Sequence, residues 1–386
     1  MQKITKNLIR VTILLLPAYL IRLSVFGIPT NVLEILILLA FISCLAESRH
    51  SLFEFYKKYK VIFWAVLAIF AGLIISTLAN HNYTVGLGII KSWFILPLAF
   101  AWVIYGETKR AENLESIYKW LYLSAFWVAV SALVYYINDQ LTYDGRLAGF
   151  FNSPNYLAMY LAPAIIIGVE SIKYKVLSKR NKAAYFISFL FILVSFYLTY
   201  SYAAWAAVTA SLFIAGFIKN KNKINLKKIS AVAAIIILVI LSQWNNLKFK
   251  DFRTLGERSS FESRIIIWKS ATKILGDNIF FGIGPGNFQN KYLEYQKYFP
   301  PYLEWAVPHP HNLYLAFWLY GGIMGLAGFL ALVVVWFKEM IKKEKNSLWA
   351  VSVGITLYFL IHGLADTTYF KNDLAIVFWI NFVMLL

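Results

Sequence analysis

The chain has 386 residues, of which 60% are hydrophobic and 18% aromatic, and its mean hydropathy is +0.62. A soluble core does not need so much apolar surface, so the composition excludes an ordinary soluble domain and indicates a polytopic membrane protein. The net charge of +18 does not indicate nucleic-acid binding, because the basic residues are spread over short segments. The single cysteine, Cys44, excludes an intramolecular disulfide.

Apolar runs of the roughly 17–25 residues that cross a bilayer occur about twelve times. The basic first ten residues and the run after them resemble a signal peptide. No small-x-small cleavage site follows, so we interpret this run as a retained first helix. The predicted fold class is therefore all-α, a polytopic bundle of about 12 transmembrane helices. The predicted spans are 8–26, 30–46, 61–79, 85–105, 120–137, 155–170, 184–200, 203–218, 229–243, 312–337, 347–363 and 373–386.

Lysine and arginine are distributed unevenly between the two sides of these spans. One set of alternate loops holds 24 of the 37 Lys and Arg residues, whereas the other short loops hold only Arg146 and Lys371. By the positive-inside rule the basic set is cytoplasmic, and both termini are predicted to face the cytoplasm. The basic loops are 1–10, 47–60, 106–119, 171–183, 219–228 and 338–346.

One long polar segment, residues 244–308, interrupts the bundle, and its position predicts an extracytoplasmic loop inserted into a single membrane domain of residues 1–386. Its nine Lys and Arg against six Asp and Glu suggest an anionic partner on the outer face. Within it, apolar and polar residues alternate over 260–275 with the period of an amphipathic helix. The glycine-rich turn at 282–286 could cradle a phosphate, although a plain turn is the simpler interpretation.

His309 and His311 stand at the end of this loop, on either side of Pro310, where an apolar helix begins near Asn312. They are either exposed residues of a helix cap or a site of chemistry. Their i, i+2 spacing does not fit a helical zinc pair, so no metal and no cofactor are expected. The positive end of the helix dipole favours neutral imidazole and attracts anions. A neutral imidazole beside an anion can act as a general base, and this favours a catalytic role.

Other charges lie in or near the spans. Arg146 is either a snorkelling arginine or a bidentate phosphate contact. Arg22, Glu34 and Lys91 fall within predicted spans, where they snorkel, pair with one another, or line a polar cavity. His362 and Asp366 flank another outer helix end and, like Lys91, are secondary candidates for the site.

Four motifs follow one another in a characteristic order. They are Gly-Arg-x-x-Gly-Phe-Phe-x-x-Pro-Asn at 145–155, Arg-x-x-x-Trp at 264–268, Gly-x-Gly-x-Gly-x-Phe at 282–288 and His-x-His-Asn-x-Tyr-Leu at 309–315. With the long outer loop, this order resembles the O-antigen ligase/O-antigen polymerase family. The resemblance runs from about residue 145 to 340, with compatible helices on both sides.

The resemblance implies a multi-pass glycosyltransferase of the bacterial inner membrane. Members of the family take a glycan from an undecaprenyl-diphosphate carrier at the outer leaflet. Ligases pass it to the lipid A-core of lipopolysaccharide, and polymerases pass it to another lipid-linked repeat unit, without a metal. Carried over to this chain, Arg264 would contact the diphosphate and His311 would be the histidine of the His-Asn motif. Arg146 and His309 would assist them.

The chain departs from the family at one point. Members often carry Ser-Arg-Gly at the tip between two spans, whereas this chain has Ser201-Tyr202-Ala203. Arg146, Arg258 or Lys91 could supply the missing charge. The alternative functions are a transporter or channel for an anionic solute, or an inactive scaffold of the same fold. A transporter is less favoured, because the sequence shows no internal symmetry.

Overall fold

The computed structural model describes residues 2–47, 52–107, 111–173, 179–220, 259–301 and 307–386, together with Ser242, Trp244 and Phe249. The candidate Arg258 and nearly all of the predicted span 229–243 lie outside the described residues, as does part of the predicted loop 244–308.

The described chain is almost entirely helical. Its helices are α1 (Gln2–Leu14), α2 (Val32–Ala46), α3 (Leu52–Lys58), α4 (Lys60–Ala79), α5 (Tyr83–Ile90), α6 (Leu96–Glu107), α7 (Ala111–Ile137), α8 (Pro154–Lys173), α9 (Lys179–Leu198), α10 (Tyr202–Lys219), α11 (Ser260–Asp277), α12 (Phe288–Tyr295), α13 (Leu313–Lys342), α14 (Ser347–His362) and α15 (Asn372–Val383). A π-helical turn, Lys91–Ile95, joins α5 to α6. Short 3₁₀ helices occupy Leu16–Leu20 and Gln296–Tyr298.

All predicted spans except the first and the ninth coincide with helices of the described chain to within several residues. The structure therefore supports an all-α membrane protein, while the number of spans stays a prediction. Five helices among the described residues are long and apolar enough to cross a membrane by length and composition. They are Lys60–Ala79, Tyr83–Glu107, Leu114–Ile137, Tyr202–Lys219 and Leu313–Lys342.

The first predicted span, 8–26, is wrong in its second half. Helix α1 ends at Leu14, and Pro17, which has no N–H to donate, lies at the start of a 3₁₀ helix. Strands β1 (Arg22–Val25) and β2 (Ile28–Asn31) then form an antiparallel hairpin. Phe26 and Gly27 have φ of 51° and 77°, as a tight two-residue hairpin turn requires. The apolar composition of this segment resembles a span, but its turn chemistry produces a hairpin.

Among the described helices, α4 and α13 make the most extensive contact. A Cβ atom on Gly72 would lie 2.2 Å from the carbonyl oxygen of Gly321, so the two backbones touch, as small residues permit in membrane helices. Helix α13 is broken at Gly322, where φ is 62° and ψ is −164°. The segment before α12 fills this break, because Phe280 O accepts from Ile323 N and Leu319 O accepts from Ile283 N.

The loop 138–153, the α9–α10 tip, the 307–312 turn and the α14–α15 connection meet at one end of the bundle. Leu147 N donates to Leu198 O, and Leu313 N donates to Gly363 O. The opposite end carries the ion pair between Lys219 and Glu170, at 3.2 Å. The fold thus gathers the motifs at one end and separates them from basic loop residues at the other.

Candidate active site

Asp366 is the centre of a polar network in the α14–α15 connection, and its side chain is only 2% exposed. Its Oδ1 accepts from Nδ1 of His311 at 3.1 Å and from the Thr367 amide at 2.8 Å. Its Oδ2 accepts from Nδ2 of Asn155 at 3.2 Å and lies 3.6 Å from Nη2 of Arg264. One buried carboxylate therefore connects segments that are far apart in the chain.

The protonation of this network follows from its charges. Burial by itself would raise the pKa of Asp366, but the adjacent His311 and Arg264 more than offset this effect and hold the pKa well below its usual range. An ionised carboxylate only accepts hydrogen bonds, so Nδ1 of His311 carries the proton. The lone pair of a neutral His311 is then on Nε2, the nitrogen on the far side of the ring.

The backbone around His311 fixes the position of its ring. His311 has a φ of 46°, an unusual conformation for a residue other than glycine. Its carbonyl oxygen accepts from Nε1 of Trp268 on α11 at 3.2 Å. The side chain of Asn312 caps α13 by accepting from the amides of Tyr314 and Leu315. The predicted helix start at the histidines is confirmed, and the positive end of its dipole lies beside His311.

Helix α11 confirms the predicted amphipathic helix at 260–275. Ser259 caps it by accepting from the amide of Glu262. Its apolar side is buried against the protein, as shown by Ile267, Ala271 and Ile274. This burial places Arg264, which is half-buried, next to Asp366.

Arg146 is buried, with 8% exposure. Its Nε donates to Thr199 O and its Nη2 donates to Oδ1 of Asn155, both at 2.7 Å, while Nη1 lies 3.7 Å from Oδ2 of Asp144. The side chain of Asn155 in turn donates from Nδ2 to Oδ2 of Asp366. A continuous chain of contacts therefore runs from Arg146 to His311, and a simple snorkelling arginine is excluded.

Arg146 also lies at the tip between α9 and α10. Thr199 is three residues before Tyr202, the position at which the sequence departs from the Ser-Arg-Gly pattern. The guanidinium of Arg146 thus stands beside the place where an arginine is missing. Lys91 does not replace the missing arginine. Its Nζ is 2.8 Å from Oε2 of Glu34 and donates to Pro29 O.

His309 is half-buried next to the network without joining it. Its Nδ1 and the hydroxyl of Tyr320 share a hydrogen bond of 2.9 Å, and its ring packs against Trp93. Burial, the largest cause, lowers the pKa of His309 to about 4. His309 is therefore neutral at pH 7.

His362, a secondary candidate, is buried in the last turn of α14. Its Nδ1 shares a hydrogen bond of 2.7 Å with the hydroxyl of Tyr358. It does not touch His311 or Arg264 among the contacts of the described chain, although it lies close enough to Asp366 for their charges to interact. Of the secondary candidates, only Asp366 is brought into direct contact with the motif residues.

The glycine-rich turn 282–286 is used for packing. A Cβ atom on Gly282 would lie 2.4 Å from Leu319 O, and φ is positive at Gly282, Gly284 and Gly286. Asn80 donates to Gly282 O and Asn82 donates to Pro285 O. These contacts support the interpretation as a plain turn that locks onto the break in α13.

Within the described ranges, no three His, Cys, Asp or Glu side chains are grouped as a metal site would require. The expectation of no metal stays a prediction. Sequence reasoning did not single out Asn155, although its motif contained it. Nor did it single out Asp144, and it noted Lys371 as a basic residue of an outer loop without making it a site candidate.

The comparison with known families agrees with this geometry. The family model described as O-antigen ligase matches residues 187–330, a segment that includes Arg264 and His311. No curated protein matches the chain. The match confirms the resemblance seen in the motifs: residues 187–330 are similar to the O-antigen ligase domain.

Proposed function

We propose that this protein transfers a glycan from an undecaprenyl-diphosphate-linked donor to an acceptor hydroxyl at the outer face of the bacterial cytoplasmic membrane. The product is a surface polysaccharide or lipopolysaccharide, made by polymerisation or by ligation. The observation that carries the proposal is the buried Asp366. It orients His311 on one side and on the other contacts Arg264 directly and Arg146 through Asn155.

The reaction that this arrangement supports is a single displacement. The acceptor oxygen attacks the anomeric carbon, the bond from that carbon to the diphosphate oxygen breaks, and the configuration inverts. The acceptor proton moves to Nε2 of His311, because Nδ1 is held by Asp366. The bond electrons leave with the diphosphate, whose charge Arg264 and Arg146 stabilise. A diphosphate is already a good leaving group, so this chain's own cations suffice and the proposed reaction uses no metal.

His309 has a supporting role in this proposal. It is neutral, and its hydrogen bond to Tyr320 leaves Nδ1 occupied. Its ring lies between Trp93 and the His311 turn, where it can shape the acceptor site. Arg258 lies outside the described residues, and its contact with the diphosphate stays a prediction from the sequence.

The test is mass spectrometry of products from the purified protein supplied with an undecaprenyl-diphosphate-linked oligosaccharide, with and without acceptors. A ladder of repeat units identifies a polymerase, and a single transfer onto an added acceptor identifies a ligase. His311→Ala is expected to abolish transfer while donor binding persists. Normal transfer by a well-expressed His311→Ala protein removes this residue from the mechanism.

The absence of product with every donor, from protein shown to be folded, would favour the alternatives of a transporter or an inactive scaffold. The transporter alternative required Arg22, Glu34 and Lys91 to line a path. The ion pair between Glu34 and Lys91 does not favour it, because both charges are engaged with each other.

A further inference from the structure

Lys371 is a half-buried cation that the mechanism above does not use. It immediately precedes α15, and its Nζ donates to the hydroxyl of Tyr19 at 3.1 Å. The same ammonium lies 3.4 Å from the ring centroid of Tyr156 and 5.4 Å from that of Phe151. Aromatic faces stabilise a cation without neutralising it.

Lys371 differs from the two arginines of the site in its counter-ions. Arg264 has Asp366 at 3.6 Å and Arg146 has Asp144 at 3.7 Å. Among the described residues no carboxylate lies within 4.0 Å of Nζ of Lys371. Asp373 is the carboxylate whose charge acts on Lys371, and its Oδ1 accepts a hydrogen bond from the amide of Leu374.

The position of Lys371 connects it to the same site. Tyr156 directly follows Asn155, which contacts Asp366. The ring of His309 packs against Trp93, and Nε1 of Trp93 donates to Oδ1 of Asn372, the residue after Lys371. An ammonium has three N–H donors, and its contacts in the described chain use one for Tyr19 and point another at the ring of Tyr156. A donor is therefore available to a ligand.

We propose that the ammonium of Lys371 is a third cationic contact for the donor, binding a phosphate oxygen of the lipid-linked diphosphate. This inference rests on the function proposed above. A diphosphate diester carries two negative charges, and the two arginines are each partly neutralised by a carboxylate. Lys371 supplies a positive charge without a carboxylate of the described chain beside it, and the rings of Tyr156 and Phe151 hold the ammonium in position.

The charge of Lys371 makes the binding of the diphosphate depend on pH. Burial lowers the pKa of Lys371 to about 8, against an opposing effect of Asp373. The ammonium is charged below that pH and neutral above it, so diphosphate binding weakens as pH rises from 7 to 9. The other groups around Nζ are Tyr19, Tyr156, Asp373 and the neutral His309. Lys371→Arg keeps its charge throughout this range and removes the dependence.

The experiment measures binding of undecaprenyl diphosphate, undecaprenyl phosphate and neutral undecaprenol to the full-length protein in phosphatidylcholine nanodiscs. Wild type is compared with Lys371→Gln, Lys371→Arg and Arg264→Gln. Lys342→Gln is the matched control, because Lys342 is exposed and pairs with Glu339 on the same helix. Lys371→Gln is expected to weaken diphosphate binding about 10- to 100-fold, as loss of a charged hydrogen bond does. Lys371→Arg and Lys342→Gln should bind normally.

Each outcome separates this inference from the proposed function. If Arg264→Gln binds the diphosphate lipid weakly while Lys371→Gln binds like wild type, Lys371 is no contact and the donor class stands. If wild type binds undecaprenol as tightly as undecaprenyl diphosphate, the donor class itself fails. If phosphatidylglycerol in the nanodisc displaces the ligand from wild type but not from Lys371→Gln, the residue binds an ordinary lipid headgroup and the proposal is overturned. Should Lys371→Gln not fold, a flat wild-type pH profile overturns it as well.

Discussion

Asp366 accepts a hydrogen bond from Nδ1 of His311 at 3.1 Å, across 55 positions of the chain. The ionised carboxylate selects the imidazole tautomer whose Nε2 can take a proton. Asp366→Asn removes this selection and the counter-charge of Arg264. We expect transfer to fall about 100- to 10,000-fold with little change in the amount of folded protein.

The measurement is the initial rate of glycan transfer at saturating donor. The matched control is Asp144→Asn, which removes a carboxylate from Arg146 without touching His311. Asp144→Asn should have the smaller effect on the rate. Equal losses in both variants would mean that net charge matters and that orientation of His311 does not.

Arg146 makes two short hydrogen bonds, through Nε to Thr199 O and through Nη2 to Asn155. A lysine has one ammonium and cannot make both in this planar arrangement, so Arg146→Lys should behave almost like Arg146→Ala. We expect the melting temperature and the transfer rate to fall in both variants. Full activity of Arg146→Lys would show that only the charge at the α9–α10 tip is needed.

Gly322 sits at the break in α13 with a positive φ, and an added Cβ atom would lie 2.1 Å from Phe280 O. Gly322→Ala must displace backbone, so we expect a loss of about 2–5 kcal/mol in the free energy of unfolding. The control is Gly276→Ala in α11, where a Cβ atom meets nothing within 4 Å. That change should stabilise the helix by about 1 kcal/mol. Thermal unfolding in detergent measures both, and an unchanged Gly322→Ala protein would contradict the role of the break.

Glu34 is buried and holds Lys91 at 2.8 Å, while Ser92 donates to its Oε1. Lys91→Gln leaves a buried carboxylate without its cation, which should cost about 1–3 kcal/mol of stability because Lys91 is partly exposed. The double variant Glu34→Gln, Lys91→Gln should recover part of this loss. Thermal unfolding measures it, and donor binding should persist in all variants that fold. Loss of donor binding in the stable double variant would show that Lys91 or Glu34 contributes to the donor site.

Much of the fold could be predicted from local patterns. Hydrophobic runs located most of the helices, and the amphipathic period located α11. The turn at Phe26 and Gly27 was missed because an apolar hairpin and an apolar helix have similar composition. Glycines 282–286 were interpreted correctly as a turn, but their partner at Gly322 lies far along the chain.

The sequence by itself determined that this is a helical membrane protein similar to the O-antigen ligase family, and it singled out His311, Arg264 and Arg146. These properties follow from hydropathy and from short motifs, which are local. Only the tertiary structure decided how the charges pair. Lys91 forms an ion pair with Glu34, whereas Asp366 contacts both His311 and Arg264. Pairing depends on distances across the bundle, and in a medium of low polarity a buried charge is stable only beside the partner that packing brings to it.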